Sequence, residues 1–154
     1  MAFNRIYDIA GSAMRAQTVR LDTVASNLAN ADSVAGSEES AFRALKPVFA
    51  TVYQQVQEAD SLASAQVQIA GVVQSDREVQ RRLDPGNALA DKDGYVYMAN
   101  VNPVEEMAEM AHAQGILFHT DAVQAAGKVA IDLKRSKIDM LSLSGHKLHA
   151  PKGV

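Results

Sequence analysis

From Asn4 to about Asn30 the apolar residues recur at helical spacing: Ile6, Ile9, Ala10, Ala13, Val24 and Leu28, with Leu21 and Ala25 widening the stripe. Arg5, Arg15, Arg20 and Asp22 fall elsewhere, so the pattern predicts one amphipathic helix of about seven turns. Its apolar face is narrow and alanine-rich, too thin for a monomer core and wide enough for a coiled-coil seam. Asn30-Ala31-Asp32-Ser33 and Gly36-Ser37 are turn-forming and end it. Period-two patterning follows. Val48, Ala50 and Val52 alternate with Phe49, Thr51 and Tyr53, predicting a strand within 41–58, and 66–74 alternates again. Two turn clusters, Asp84-Pro85-Gly86-Asn87 and Asp91-Lys92-Asp93-Gly94, precede a short strand at Tyr95–Met98. The pattern then changes. Pro103, with Glu105 and Glu106 in the first turn, opens a helix that ends at Gly115. Apolar runs at Ile116–Thr120 and Ile138–Ser144 follow, separated by a crossover, in the grammar of a parallel α/β sheet.

The expected fold class is α+β: a long N-terminal amphipathic helix, a small β-module, then a short α/β fragment of helix, strand, crossover and strand. The expected divisions are 1–33, 34–102 and 103–154.

Composition sharpens that break. Of the 154 residues, residues 1–106 carry 9 basic and 14 acidic groups, and residues 107–154 carry 6 and 4. All four histidines lie in the last 43 residues, and seven of the eight Phe and Tyr residues precede Val101. The two parts look like pieces of different origin. The net charge of -3 argues against nucleic acid or an anionic membrane as partner. No run reaches the roughly 18 apolar residues of a membrane span, and the N-terminus lacks the apolar core of a secretory signal. There is no cysteine, so disulfides, thiolate metal sites and a sulfur nucleophile are excluded. His112 and His149 read as surface residues, and no metal site is expected.

Phe3 to Gly11, the Ser-Asn-Leu-Ala-Asn motif at 26–30 and the stretch from Asp84 to Val101 resemble the flagellar basal-body rod proteins, specifically the proximal-rod FlgC family, over about residues 1–106. That resemblance implies a structural axial subunit whose N-terminal helix packs against other helices. Its implied protein-binding residues are Ile6, Ile9, Ala13, Val24 and Leu28, and its implied partners are other rod subunits or a second copy of the chain. It implies a place in the flagellar basal body if assembled, and the cytoplasm otherwise. The long C-terminal helix of that family is missing. Residues 103–114 are the only substitute, about 18 Å long against about 38 Å for the first helix, so at least half the seam should lack cover within the chain.

From about Pro103 the chain resembles the NifS/IscS-type cysteine desulfurases, pyridoxal-phosphate enzymes, through Phe118-His119-Thr120-Asp121-Ala122-Val123-Gln124, Leu141-Ser142-Leu143-Ser144-Gly145-His146-Lys147 and Ala150-Pro151-Lys152-Gly153. The junction falls within 101–110. This second resemblance implies that Lys147 forms the Schiff base, Asp121 pairs with the pyridinium nitrogen, Gln124 meets the ring hydroxyl, and Ser144 and His146 meet the phosphate. The catalytic cysteine and most of that site are absent, so the expectation is no enzyme, a vestigial set, and no cofactor beyond weak association of free pyridoxal phosphate. Three functions follow: a rod-type structural protein impaired in assembly, a non-functional desulfurase fragment, or a composite or synthetic chain with an acquired role in binding or inhibiting an unidentified protein.

Overall fold

A computed structural model describes residues 2–54, 64–125 and 131–145. The chain divides into two compact units, residues 1–101 and 102–154, and each is described by itself.

In the first unit, helix α1 spans Ala2–Ala29. Strands β2 (Leu45–Gln54) and β3 (Ser64–Gln74) form an antiparallel hairpin against it, with a register shift between Val48 and Phe49. A second sheet holds β1 (Val34–Ala35), β5 (Tyr95–Met98) and β4 (Gln80–Leu83), antiparallel and in the order β1-β5-β4. Val96, on the central strand, is fully buried. The expected strand at 41–58 is seen as Leu45–Gln54, and positions 55–63 lie outside the described residues.

Two differences from the sequence pattern have physical causes. Strand β4 was not foreseen because Gln-Arg-Arg-Leu has no alternation and all four residues are exposed. It exists through its pairing with β5, and Arg81 lies over the Tyr95 ring at 4.4 Å. The second difference is how far along α1 the apolar stripe is covered. The buried positions are Ser12, Ala16, Thr23, Val24 and Asn27, whereas Ile6, Ile9 and Ala13 are exposed. At about 100° per residue Ile9 stands at the azimuth of Asn27 and Ile6 at that of Val24, so the buried and apolar stripes overlap and differ chiefly in where along the helix cover begins. The positions that pack are small or polar as well as apolar, and two of them, Ser12 and Asn27, bond to strand backbone.

Those bonds are specific. Asn27 Oδ1 accepts from the Leu45 N–H at 2.7 Å, and Asn27 Nδ2 donates to the Leu45 carbonyl at 2.9 Å. The Ser12 hydroxyl donates to the Ile9 carbonyl and accepts from the Val67 N–H at 3.3 Å. Thr23 donates to the Val19 carbonyl of its own helix. A second buried asparagine, Asn100, accepts from the Ala44 N–H at 2.6 Å and donates to the Ser75 and Arg77 carbonyls. These two side chains take the place of ladder partners for the backbone where β2 begins.

The loop into β5 is held by Asp91. Its Oδ1 accepts from the Tyr95 N–H at 2.8 Å and the Asp93 N–H at 2.9 Å. The Tyr95 bond leads in holding the carboxyl below the usual aspartate range, with smaller help from Asp93, Tyr97 and Arg81. Gly94 closes the turn at φ +81°, where a Cβ would sit 3.2 Å from Pro85 Cβ. Gly94→Ala is expected to cost about 1–2 kcal/mol from the left-handed backbone plus this crowding, read as a fall in denaturation midpoint; an unchanged midpoint would show that the turn relaxes freely.

The second unit begins with α2, Pro103–Ala113. Asn102 caps it, its Oδ1 accepting from the Val104 and Glu105 N–H groups. At the other end Gly115, φ +68°, donates to the His112 carbonyl and Ile116 to Ala111, a Schellman closure. That closure shortens the next strand: Ile116–Thr120 was expected, and β6 is His119–Asp121. It pairs parallel with β7, Met140–Ser142. Lys137 Nζ reaches Glu109 Oε2 at 2.8 Å, tying the approach to β7 onto α2. The observed α+β class, with its long first helix and small separate sheets, is the expected one.

Candidate functional site

Two groups of residues carry candidate function, one in each unit. On α1, the exposed apolar side is formed by Ile6, 61% exposed, Tyr7, 71%, and Met14, 67%, together with Ile9, Ala10 and Ala13. Leu21 and Leu28 are half-buried and Val24 is 4% exposed. Of the five seam residues foreseen, Ile6, Ile9 and Ala13 are open, and Val24 and Leu28 are covered to different degrees. No charged residue falls on the arc that runs from Ala13 through Ile6, Ala10 and Leu21 to Tyr7. Arg20 lies at its margin, with its guanidinium 5.1 Å from the Phe49 ring of the hairpin. Asn27 and Asn100, which organise the platform under this helix, were not singled out beforehand. The signal available was the Ser-Asn-Leu-Ala-Asn motif itself, in which an asparagine occupies the face of a helix that is otherwise small and apolar.

In the second unit the parallel register sets Asp121 opposite Ser142, so Asp121 and Ser144 lie at the same carboxyl edge of β6 and β7. Asp121 is exposed, and its Oδ1 accepts from the Val123 N–H at 3.0 Å, a bond within its own turn. Gln124 is exposed and Ser144 half-buried. His146 and Lys147 lie outside the described residues. His119 Nε2 and Ser142 Oγ are 2.8 Å apart across the two strands. Among the described residues no group of His, Asp and Glu could hold a metal ion.

Comparison with known proteins gives the two ends of the chain different relatives. The family model for flagella basal body rod protein matches residues 8–36, and that for aminotransferase class-V matches residues 96–154. The flagellar basal-body rod protein FlgC of Salmonella typhimurium is 46% identical over 113 residues, which is 73% of this chain and 81% of the relative. FlgC of Escherichia coli O157:H7 matches to the same extent. The cysteine desulfurase NifS of Azotobacter vinelandii is 75% identical over 52 residues, 34% of this chain and 13% of the relative. A cysteine desulfurase of Gluconacetobacter diazotrophicus is 54% identical over 80 residues, 49% of this chain and 19% of the relative. The chain thus spans less than a fifth of the desulfurases it matches. The rod-protein and NifS alignments together exceed the chain's length, so they overlap. The class-V match begins at Val96, within β5. The chain is a composite: it belongs to the flagellar basal-body rod protein family FlgC, with a segment of a class-V cysteine desulfurase joined to it.

Proposed function

We propose that this chain is a structural subunit of the flagellar rod type, assembling through the apolar side of α1, and that it catalyses no desulfurase reaction. The observation that carries the reading is the exposure of the apolar N-terminal part of α1. Burial within the chain takes in Ser12, Ala16, Thr23, Val24 and Asn27, and the N-terminal part of the charge-free apolar arc, Ile6, Tyr7, Ala10, Ala13 and Met14, is left at the surface. A helix that leaves several large apolar side chains exposed along one stretch gains further burial from neighbours. The FlgC relatives supply the kind of neighbour, the subunits of a basal-body rod, and with it a place in the flagellum.

The desulfurase segment contributes no reaction in this reading. Pyridoxal phosphate supplies an electron sink for carbanion chemistry when bound. Among the described residues, the setting of Asp121 speaks against a tightly held group. Asp121 is exposed to water and its carboxylate is engaged by its own turn, where a partner for a ring nitrogen needs shelter from solvent. With no cysteine in the chain there is no thiol to accept sulfur.

Two measurements test this. Mixed with purified FlgC, the chain should co-sediment with the assemblies, and Ile6→Glu/Met14→Glu should abolish that while leaving helix content unchanged; co-sedimentation that ignores this double substitution would remove α1 as the assembly surface. Incubated with cysteine and pyridoxal phosphate, the chain should release sulfide at the rate of a protein-free blank, and any excess would refute the non-enzymatic reading.

A further inference from the structure

Helix α1 and strand β2 lie side by side and run in opposite senses. Asn27 bonds Leu45 at the base of the hairpin, and Ser12 bonds Val67, the ladder partner of Thr51, further out. Between these two bonds the Arg20 guanidinium lies 5.1 Å from the Phe49 ring. From Asn27 back to Ser12 the helix covers about 22 Å. From Leu45 to Thr51 the strand covers about 20 Å. The two elements therefore keep pace with each other.

The hairpin does not stop at Ser12. Its ladder runs on past Thr51 to Gln54, which pairs with Ser64, about 10 Å further. The helix from Ser12 to Ile6 covers about 9 Å. Eighteen residues make about five helical turns, so Ile9 shares the azimuth of the buried Asn27, and Ile6 that of the buried Val24. Yet Ile9 is 40% exposed and Ile6 61%. One side of the helix is thus covered at its C-terminal end and open at a level the hairpin reaches. Val67, at the outermost bond, is itself 37% exposed, so cover gives out there. Below it the ladder shifts register between Val48 and Phe49, an irregularity of the kind at which a hairpin bends.

We propose that the outer hairpin, residues 51–54 and 64–67, is a strap that bends at this register shift and closes on the first turns of α1. Closed, it covers Ile9 and Ile6 and withholds them from a rod subunit. The withholding rests on the rod reading, and the closure on this chain alone. The driving force is apolar area removed from water with no ladder bond broken. Level, azimuth and the Ser12–Val67 tether together select the hairpin as the element that covers this side of the helix.

Because the chain has no cysteine, a pair of introduced thiols reports the closure cleanly. Alternation puts position 53 on the strand face of Thr51 and position 52 on the other. Under mild oxidation of the dilute full chain, Ile9→Cys/Tyr53→Cys should form its internal disulfide at least about tenfold faster than Ile9→Cys/Val52→Cys. Both reduced pairs should keep the circular dichroism of the parent. Equal rates, or a faster Val52→Cys pair, overturn the strap. The oxidised Ile9→Cys/Tyr53→Cys chain should lose at least about nine-tenths of its co-sedimentation with FlgC and regain it on reduction. Undiminished co-sedimentation of the locked chain overturns the withholding. If the lock forms and neither the parent nor the reduced chain co-sediments, the rod reading fails and the strap stands. If the parent co-sediments and the lock does not form, the strap fails and the rod reading stands.

Discussion

Asn27→Ala and Asn100→Ala are each expected to lower the stability of the first unit by about 3 kcal/mol. Asn27 is 1% exposed and serves both the N–H and the carbonyl of Leu45. Alanine leaves those two backbone groups without that partner in a place water does not easily reach, at about 1–3 kcal/mol for each unsatisfied group. The small cavity adds to this, and partial hydration subtracts from it. Asn100 repeats the situation at Ala44, with the Ser75 and Arg77 carbonyls as its acceptors. For a unit of about 100 residues such a loss shifts the thermal midpoint by roughly 12–20 °C. Asn27→Asp is a sharper probe. It keeps the acceptor, loses the donor and adds a buried charge, so it should be no milder than alanine at neutral pH. Lys92→Ala, at an exposed turn position, is the control and should stay within about 0.5 kcal/mol. If the asparagine variants melt with the control, the two side chains are incidental to the architecture.

The same residues show where the sequence is legible and where it is not. The α1 helix, the two long strands and the Tyr95–Met98 strand follow from periodicity and turn chemistry, which act locally. How far along α1 the apolar stripe is covered does not. Ile6, Ile9 and Ala13 carry a strong apolar signal and are exposed, while Val24 of the same stripe is buried together with Ser12, Thr23 and Asn27. The deciding factor is where the hairpin of β2 and β3 lies, a partner that only the tertiary structure provides. Strand β4 is illegible for a related reason: its four residues are all exposed, and its place is fixed by pairing with β5. In the second unit the apolar runs were readable as strands from their composition, and the observed strands are shorter, three residues each, β6 because the Gly115 closure takes up the residues before it. The cofactor set was legible only by resemblance. Geometry brings Asp121 and Ser144 to one edge, and it gives Asp121 a local partner and water.

Amide exchange within 116–125 and 131–145 should run at least about a hundredfold faster than at Val96. The two strands have three residues each, and among the described residues each has one strand partner. Parallel strands of this apolar character are ordinarily covered on both faces; here Ile116, Leu117, Met140 and Leu143 are all exposed. Two strands alone are marginal in water, and beyond their three-residue ladder and the His119–Ser142 contact they are joined by Ala122 N–H to the Ser142 carbonyl, Met140 and Asp139 N–H to the Phe118 carbonyl, and Phe118 N–H to the Asp139 carboxylate. The Lys137–Glu109 pair ties the approach to β7 onto α2, but both side chains are partly solvated, so it contributes little. Local opening therefore needs less free energy than unfolding of the first unit. Limited proteolysis should agree, with first cuts in 116–145 and a surviving fragment that contains 64–101. Protection in β6 and β7 equal to that of Val96 would mean that the pair has found cover this account does not supply. The functional consequence is direct. A site that binds a cofactor tightly needs side chains held by rigid elements. Asp121 and Ser144 sit on the part of the chain expected to open first, and the α1 surface rests on the part expected to open last.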